Sequence, residues 1–561
     1  MAQAEKFATL AAMLFPETRR NYPAFETALL LFIIAALTAL LAGIRYFQGG
    51  QSYEFCHYGE IASNLLSGKG FVSAAQTPGN LVFLDAYGKQ PAGYTAAFEA
   101  NRFPLQTALI AGAQMFFGAK DFAVLAAQIL VHSLWVVAIF LCGTLFFSRM
   151  AAFAAALLWA LNPSLTTGII PGGFPDLLSG LLCTLAAFLF LNALQRKAST
   201  WRFIGIGFIC GCAYLSRFTV EIFAPLFPVF AISAQGWRAG LKTTLCLAAG
   251  ALALVLPWTC YVYSATGSIA PPLFWTQLAA HTITGPIPWH EYRFFGPQDF
   301  AFPGALALIA RKWLNHFFAF LREVPGLWFL HLAIPLALAF AIKNFIRKDG
   351  PLSLLKFYLT AFLLQTAGFS LLRHETLGLL NGRYYLWLGP VLLLAACEFM
   401  VEVKDALPRQ LARLSPLTLF LAANLAVYSY CYARIETGSG HPSGLPVPLW
   451  PELAWARTAP SDSVIMSNIP NQIAWYANRA SIALPPKPAD LPALLQKHPA
   501  THLLLSRSNA GEPWNYPAWA ALAQQNPATL RGFSEETGFT LKKEENGALL
   551  FEQTVTSAPA R

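Results

Sequence analysis

"FETALLLFIIAALTALLAGIRYFQGGQSYEFCHYGEIASNLLSGKGF", residues 25–71, decides how the rest of the chain is read. Its first half, 25–47, is an almost unbroken apolar run of the length needed to cross about 30 Å of hydrocarbon. Its second half, from Tyr53, places Glu54, His57, Tyr58 and Glu60 directly after that run. Helical spacing puts Glu54 and Tyr58 on one edge, with Ile61, Ala62, Leu65 and Leu66 beyond it, so this part of the 53–71 stretch is expected to be an amphipathic helix along the membrane face. Two readings stay open here: the acids and the imidazole form the wet side of that helix, or they form a site.

Working outward, the same apolar blocks recur along all 561 residues, which are 56% hydrophobic and only 12% charged. A soluble globule of ordinary composition does not look like this. The chain is expected to be a polytopic α-helical membrane protein with about eleven transmembrane helices. They fall near 25–47, 121–147, 150–169, 176–195, 202–216, 218–234, 241–263, 325–344, 353–372, 384–401 and 415–433. A net charge of +10 does not imply nucleic acid as a partner, because the basic residues are spread over short loops as an orientation signal. Arg19, Arg20, Arg149, Arg196, Lys197, Arg238, Lys242, Arg347, Lys348, Arg409 and Arg413 all fall in one set of connections. That set is read as cytoplasmic, so the N-terminus is cytoplasmic and the C-terminus lies outside. The start of the chain carries no cleavage-like site after its first apolar block, so that block is read as an anchor.

The chain divides into a transmembrane domain, 1–434, and a tail, 435–561, of different character. In the tail, strand-like runs at 464–466, 501–506 and 547–553 alternate with helical stretches at 489–497 and 515–525. It is read as a small extracytoplasmic α/β domain. The nine cysteines sit mostly inside apolar blocks, form no CxxC and give neither a disulfide framework nor a zinc spacing.

Other charged positions gather at the outer ends of the expected spans. Arg102 and Pro104 open a second surface helix, 102–118. Asp176, in "GGFPDLLSG", stands alone at the lip of the 176–195 span; an acid there is either a site or a helix-start residue helped by the dipole. Arg217 and Glu221 are four apart and read as an ion pair along one helix. Arg383 lies on the outer side against the positive-inside trend, which points to a bound anion. His281, His290, Glu291 and Arg293 match no standard metal spacing.

Taken in order, these pieces resemble the C-type membrane glycosyltransferases, specifically the protein mannosyltransferase-like family that includes the lipid A aminoarabinose transferase. The match runs through Glu54, Tyr58, Ile61–Ala62 and Gly68–Lys69–Gly70–Phe71. It continues with Arg102, Phe103–Pro104–Leu105, Phe117–Gly118, Asp176 and Arg383–Tyr384. Glu54 stands where the family usually has Asp, and Phe103 replaces the first of two prolines. The resemblance implies transfer of a sugar from a polyprenyl-phosphate-linked donor, at the outer face of a bacterial inner membrane, to a glycan, lipid or protein acceptor. Glu54 would be the general base and Asp176 a second acid that orients the acceptor or a cation. Arg102 and Arg383 would hold the donor phosphate, with Tyr58, Glu60 and Tyr384 in support. A divalent metal cation is an open partner, without a ligand cluster to identify it. A transporter or flippase would instead bury charge at mid-span, and a non-catalytic assembly protein would act through its tail.

Overall fold

A computed structural model of the protein describes residues 22–553, apart from 88, 90–95, 100, 197, 218–223, 270–272, 285–289, 324–329, 331, 348–351, 373–380, 407–414, 436–444, 507–518, 520–521, 523–526 and 546–547. The first helix, Tyr22–Tyr46, shows how the spans are sorted. Ala28, Leu31, Ala35, Ala39 and Ala42 face inward, while Leu29, Leu30, Ile33, Leu37, Leu41 and Ile44 are exposed. Small residues let helices approach closely, and large ones are left for lipid, the usual division in a membrane bundle.

Seven described helices are long and apolar enough to cross a membrane: Ala24–Tyr46, Asp121–Gly143, Arg149–Ile169, Asp176–Gln195, Trp237–Thr266, Ser353–Leu371 and Arg383–Lys404. The protein is a multi-pass membrane protein. The remaining expected spans are also helical in whole or part, at Thr200–Ser216, Leu226–Gln235, Ala333–Arg347 and Pro416–Arg434, but they are shorter or less apolar. No span is expected within 264–324, yet Ala305–Glu323 forms a helix. Trp313 Nε1 ties it to the Ala367 carbonyl at 2.9 Å.

Two surface helices follow the first span, Tyr53–Leu66 and Pro104–Phe117, as expected. The wet-side reading of the first one is reversed. Glu54, His57 and Glu60 are only 3%, 5% and 7% exposed, whereas Leu65 and Leu66 are 40% and 45% exposed. Hydrophobic periodicity locates a polar edge but not its surroundings, and beside a membrane the leucines are the ones that face outward.

The tail forms an α/β layer. Its strands are β4 (Val464–Ser467), β5 (Ala480–Ala483), β6 (His502–Leu505), β7 (Phe539–Glu545) and β8 (Ala548–Gln553). The first three pair in parallel, and β7–β8 is an antiparallel hairpin joined to β6. Most of the expected helix at 515–525 lies outside the described residues. The division at 434/435 is bridged by the loop after the first span. That loop forms a small pair from β1 (Val72–Ser73) and β3 (Ala97–Phe98), and its β2 (Ala75–Gln76) joins the tail sheet. The sheet order is β2-β5-β4-β6-β8-β7. Leu81, from the loop helix Pro78–Ala86, packs in the tail core with Met466, Ile482 and Leu503.

The tail also grips the membrane part directly. Trp475 Nε1 and the Tyr476 hydroxyl each donate to the Asp121 carboxylate at 2.8 Å. The Tyr476 oxygen accepts from the Gly50 N–H at 2.6 Å. Gln472 Nε2 donates to the Gln51 carbonyl at 3.0 Å, next to the start of the Glu54 helix.

Candidate active site

Local sequence sets each charged group at the end of an element. Ser52 caps the Tyr53–Leu66 helix, its hydroxyl accepting from the Glu54 N–H at 3.1 Å. Asp176 opens the Asp176–Gln195 helix after Pro175. Both carboxylates thus lie in the first turn of a helix, where the dipole favours negative charge. Arg102 immediately precedes the Pro104–Phe117 helix, Arg217 follows Ser216 at the end of Thr200–Ser216, and Arg383 lies in the turn Asn381–Leu388.

These five groups come from five separate segments and meet at one end of the bundle. Arg383 joins the two acids: its Nη2 is 3.3 Å from Glu54 Oε1, and its Nε is 3.9 Å from Asp176 Oδ2. Arg217 Nη1 donates to Asp176 Oδ2 at 2.5 Å. Arg102 Nη1 lies 4.0 Å from Glu54 Oε1. Aromatic rings complete the walls. Arg383 sits over Phe174 at 4.1 Å, Arg217 over Tyr384 at 4.4 Å, and Arg102 over Tyr53 and Tyr58 at 4.9 and 5.4 Å. Stacking of this kind holds a guanidinium in place while leaving its edge free to donate. Tyr384 also accepts from Arg383 Nη2 at 3.2 Å.

Four sequence expectations, Glu54, Arg102, Asp176 and Arg383, are therefore neighbours, and Tyr58 and Tyr384 line the same space. Glu60 is not part of this group. Its carboxylate turns into the first loop, where it accepts from Ser73 Oγ at 2.7 Å, the Ala74 N–H at 3.0 Å and Asn64 Nδ2. Burial raises the Glu60 carboxyl above its ordinary value, and those hydrogen bonds act in the opposite direction. Arg217 was expected to pair with Glu221, which lies outside the described residues; its partner here is Asp176.

Sequence reading missed the role of His57 and did not single out Glu99. Arg102 Nε lies 3.1 Å from His57 Nδ1, and His57 Nε2 lies 3.3 Å from Glu99 Oε2. Burial pushes the Glu99 carboxyl up, but His57, Arg102 and the Asn101 N–H outweigh it and hold it below its ordinary value. Burial alone would lower Arg102, yet Tyr53, Tyr58, Glu54 and Glu99 raise it. Three carboxylates, Glu54, Glu99 and Asp176, thus face three guanidiniums, Arg102, Arg217 and Arg383. No sequence spacing links Glu99 to His57; only the fold does.

A pH effect follows with a definite sign. Because Glu99 is held low, its stabilisation is complete above its ordinary value of 4.5 and is lost as pH falls through the lowered one. Wild type should therefore lose more thermal stability than Glu99→Gln when pH is taken from 6 through the ordinary value to about 3. Equal losses in melting scans would show that Glu99 carries no such linkage.

No group of three or more His, Cys, Asp or Glu among the described residues is placed to hold a metal ion. Glu54 and Asp176 face guanidinium groups instead. His281 and His316 approach ring to ring at 5.9 Å, and His290 Nδ1 meets the Leu484 carbonyl at 3.1 Å.

The loop that carries Asp176 is seated by a glycine. Gly173 has φ +65°, and a Cβ there would lie 2.8 Å from Phe55 Cα, inside the Glu54 helix. Gly173→Ala should therefore push the Asp176 loop off that helix, costing about 1–3 kcal/mol by overpacking and lowering turnover with it. Gly168→Ala, where a Cβ meets nothing within 4 Å, is the control expected to stay near wild type. Thermal midpoints and initial rates of the two variants make the comparison.

A helical membrane bundle with an acid-and-arginine cluster at one end, roofed by an α/β tail, defines the class: a polytopic α-helical membrane protein with an appended α/β layer. Residues 101–262 match the dolichyl-phosphate-mannose-protein mannosyltransferase family. No curated protein matches the chain. Among solved structures it is similar to ArnT from Cupriavidus metallidurans bound to undecaprenyl phosphate. The two are 11% identical, with 95% of this chain and 99% of that one covered, at a TM-score of 0.56. It is also similar to the archaeal oligosaccharyltransferase AglB from Archaeoglobus fulgidus in complex with an inhibitory peptide and a dolichol-phosphate. There the identity is 12%, the coverage 96% of this chain and 75% of that one, and the TM-score 0.57. The chain thus shares the fold of these membrane proteins, and its residues 101–262 match the mannosyltransferase family model.

Proposed function

We propose that the protein transfers a sugar from a polyprenyl-phosphate-linked donor to an acceptor hydroxyl at the outer face of the bacterial inner membrane, with inversion at the anomeric carbon. One observation carries the reading: Arg383 bridges Glu54 and Asp176, so anion-binding and proton-accepting groups share one site at a membrane boundary. The undecaprenyl phosphate and dolichol-phosphate held by the two similar structures support the donor class. The Lys/Arg-rich connections support a cytoplasmic N-terminus and a periplasmic tail, because Arg149, Arg196 and Arg238 lie at the span ends opposite the site.

Charge balance suggests the order of events. Without ligand, guanidiniums and carboxylates neutralise each other. A donor phosphate arriving at Arg102 and Arg383 takes over contacts that Glu54 now shares. With that positive charge neutralised, the Glu54 carboxylate becomes more basic. The acceptor oxygen attacks the anomeric carbon in line, Glu54 takes the hydroxyl proton, and the bond from the anomeric carbon to phosphate oxygen breaks. The leaving polyprenyl phosphate keeps the electron pair, and the two guanidiniums stabilise its developing charge. Asp176, fixed by Arg217, orients the acceptor or Arg383.

Purified full-length protein, given labelled polyprenyl-phosphate sugars in detergent or nanodiscs, should release unlabelled polyprenyl phosphate and a labelled acceptor. Movement of intact labelled lipid across proteoliposomes, without bond cleavage, would instead make it a transporter.

A further inference from the structure

The hydrogen bonds of the candidate site leave one buried amide unexplained. Gln106 lies in the first turn of the Pro104–Phe117 helix, is 1% exposed, and neither Nε2 nor Oε1 has a hydrogen-bond partner. Its counterpart two turns on is fully engaged: Gln114 donates to the Gly59 carbonyl at 2.9 Å and accepts from Ser63 Oγ at 3.2 Å. Positions 106, 110 and 114 share one stripe of the helix, and the bonds of Gln114 show that this stripe faces the Tyr53–Leu66 helix. Gln106 lies two turns before Gln114 on the same stripe, toward Arg102. Arg102 precedes it by four residues, with its guanidinium between Glu54 and His57. Phe103 packs edge-on against Tyr214 at 5.7 Å, three residues before Arg217.

A buried polar group without a partner is costly, and native chains nearly always provide one. Other unpartnered atoms nearby point the same way: Arg217 Nε and Arg383 Nε also lack hydrogen-bond acceptors. Those two can serve an anion. A primary amide is different, because it presents a donor and an acceptor side by side. An isoprenoid chain can use neither, and an ionised phosphate can only accept. A sugar hydroxyl uses both.

We propose that Gln106 binds the sugar of the lipid-linked donor, through a ring hydroxyl that donates to its Oε1 and accepts from its Nε2. The inference rests on the donor reading above, since the sugar hangs from the phosphate that Arg102 would hold.

The test compares Gln106→Leu with wild type, as full-length protein, against two kinds of probe. One is undecaprenyl phosphate; the other is undecaprenyl phosphate carrying mannose, glucose or galactose, using whichever wild type binds tightest. In the variant, Kd for bare undecaprenyl phosphate should stay within about twofold. Kd for the sugar-bearing lipid should rise about tenfold, or about 1.4 kcal/mol. The ligand-free thermal midpoint should also rise, because leucine removes an unpaired amide at similar volume. A lowered ligand-free midpoint would mean that the amide has a partner within the protein, and would overturn the inference. So would equal weakening of both lipids, or a change confined to the acceptor KM. Wild type that binds neither lipid would overturn the donor reading first and this inference with it.

Discussion

Glu54→Gln is expected to lower turnover by roughly 10²–10⁴-fold, the usual worth of a positioned general base, while leaving the protein folded. The amide keeps an oxygen to accept from Arg383, now 3.3 Å from Glu54 Oε1, so packing and most hydrogen bonding survive. What is lost is the ability to take a proton. Glu54→Asp should keep part of the activity, because the chemistry remains while the reach shortens by one methylene. This variant also tests the departure from the family's usual Asp. Asp176→Asn should impair turnover as well, through a weakened hold on Arg217 and Arg383 rather than through loss of the base. Single-turnover rates separate the cases: Glu54→Gln should slow the chemical step at saturating donor. A fully active Glu54→Gln would reduce Glu54 to a structural ion-pair partner and require another base.

Arg383→Ala is expected to have the second large effect, on donor use. Removing it leaves two buried carboxylates with one contact each fewer, and breaking a buried pair this way typically costs about 3–5 kcal/mol. Donor KM should rise by about 30-fold or more, because truncating a buried charge partner costs about 2–5 kcal/mol in binding. Arg383→Lys should recover part of this: the charge returns, but the planar fork that reaches both Glu54 and Asp176 does not. Arg102→Ala should act in the same direction and more weakly, since its contact to Glu54 is the longer one, at 4.0 Å. Normal donor KM in both alanine variants would move the phosphate elsewhere, with Arg217 the next guanidinium in the cluster.

The spans were legible because lipid imposes a length and a composition that few other environments demand. The first helix, with its blocks of leucine and alanine, could be read directly. Which way a surface helix turns was not legible. The stretch from Glu54 to Leu66 has a polar edge in either case, and only the neighbours show that Glu54, His57 and Glu60 are buried while Leu65 and Leu66 are not. Isolated charges at span ends, Asp176 and Arg383, were conspicuous because a membrane makes them costly. Their partners were hidden by distance along the chain. Glu221, four residues from Arg217, lies outside the described residues, and no spacing announces the bond from Arg217 to Asp176, 41 residues back. Glu99 and Gln106 carry no local pattern at all. The two-residue strand at Ala75–Gln76 is too short for any alternation to mark it.

That short strand changes what counts as a separable piece. With Ala75–Gln76 hydrogen-bonded to Ser481–Ile482, the first loop and the tail are complementary halves of one folding unit. Expressed alone, the tail would present the edge of β5 unpaired, an invitation to strand addition by other copies. The membrane part alone would lose the Trp475 and Tyr476 anchors at Asp121 and the Gln472 bond beside the Glu54 helix. A graft of this tail onto a relative's membrane part would therefore have to carry residues 72–98 with it. In this architecture the modules exchanged by evolution or by an engineer are bounded by the sheet, not by the last membrane span.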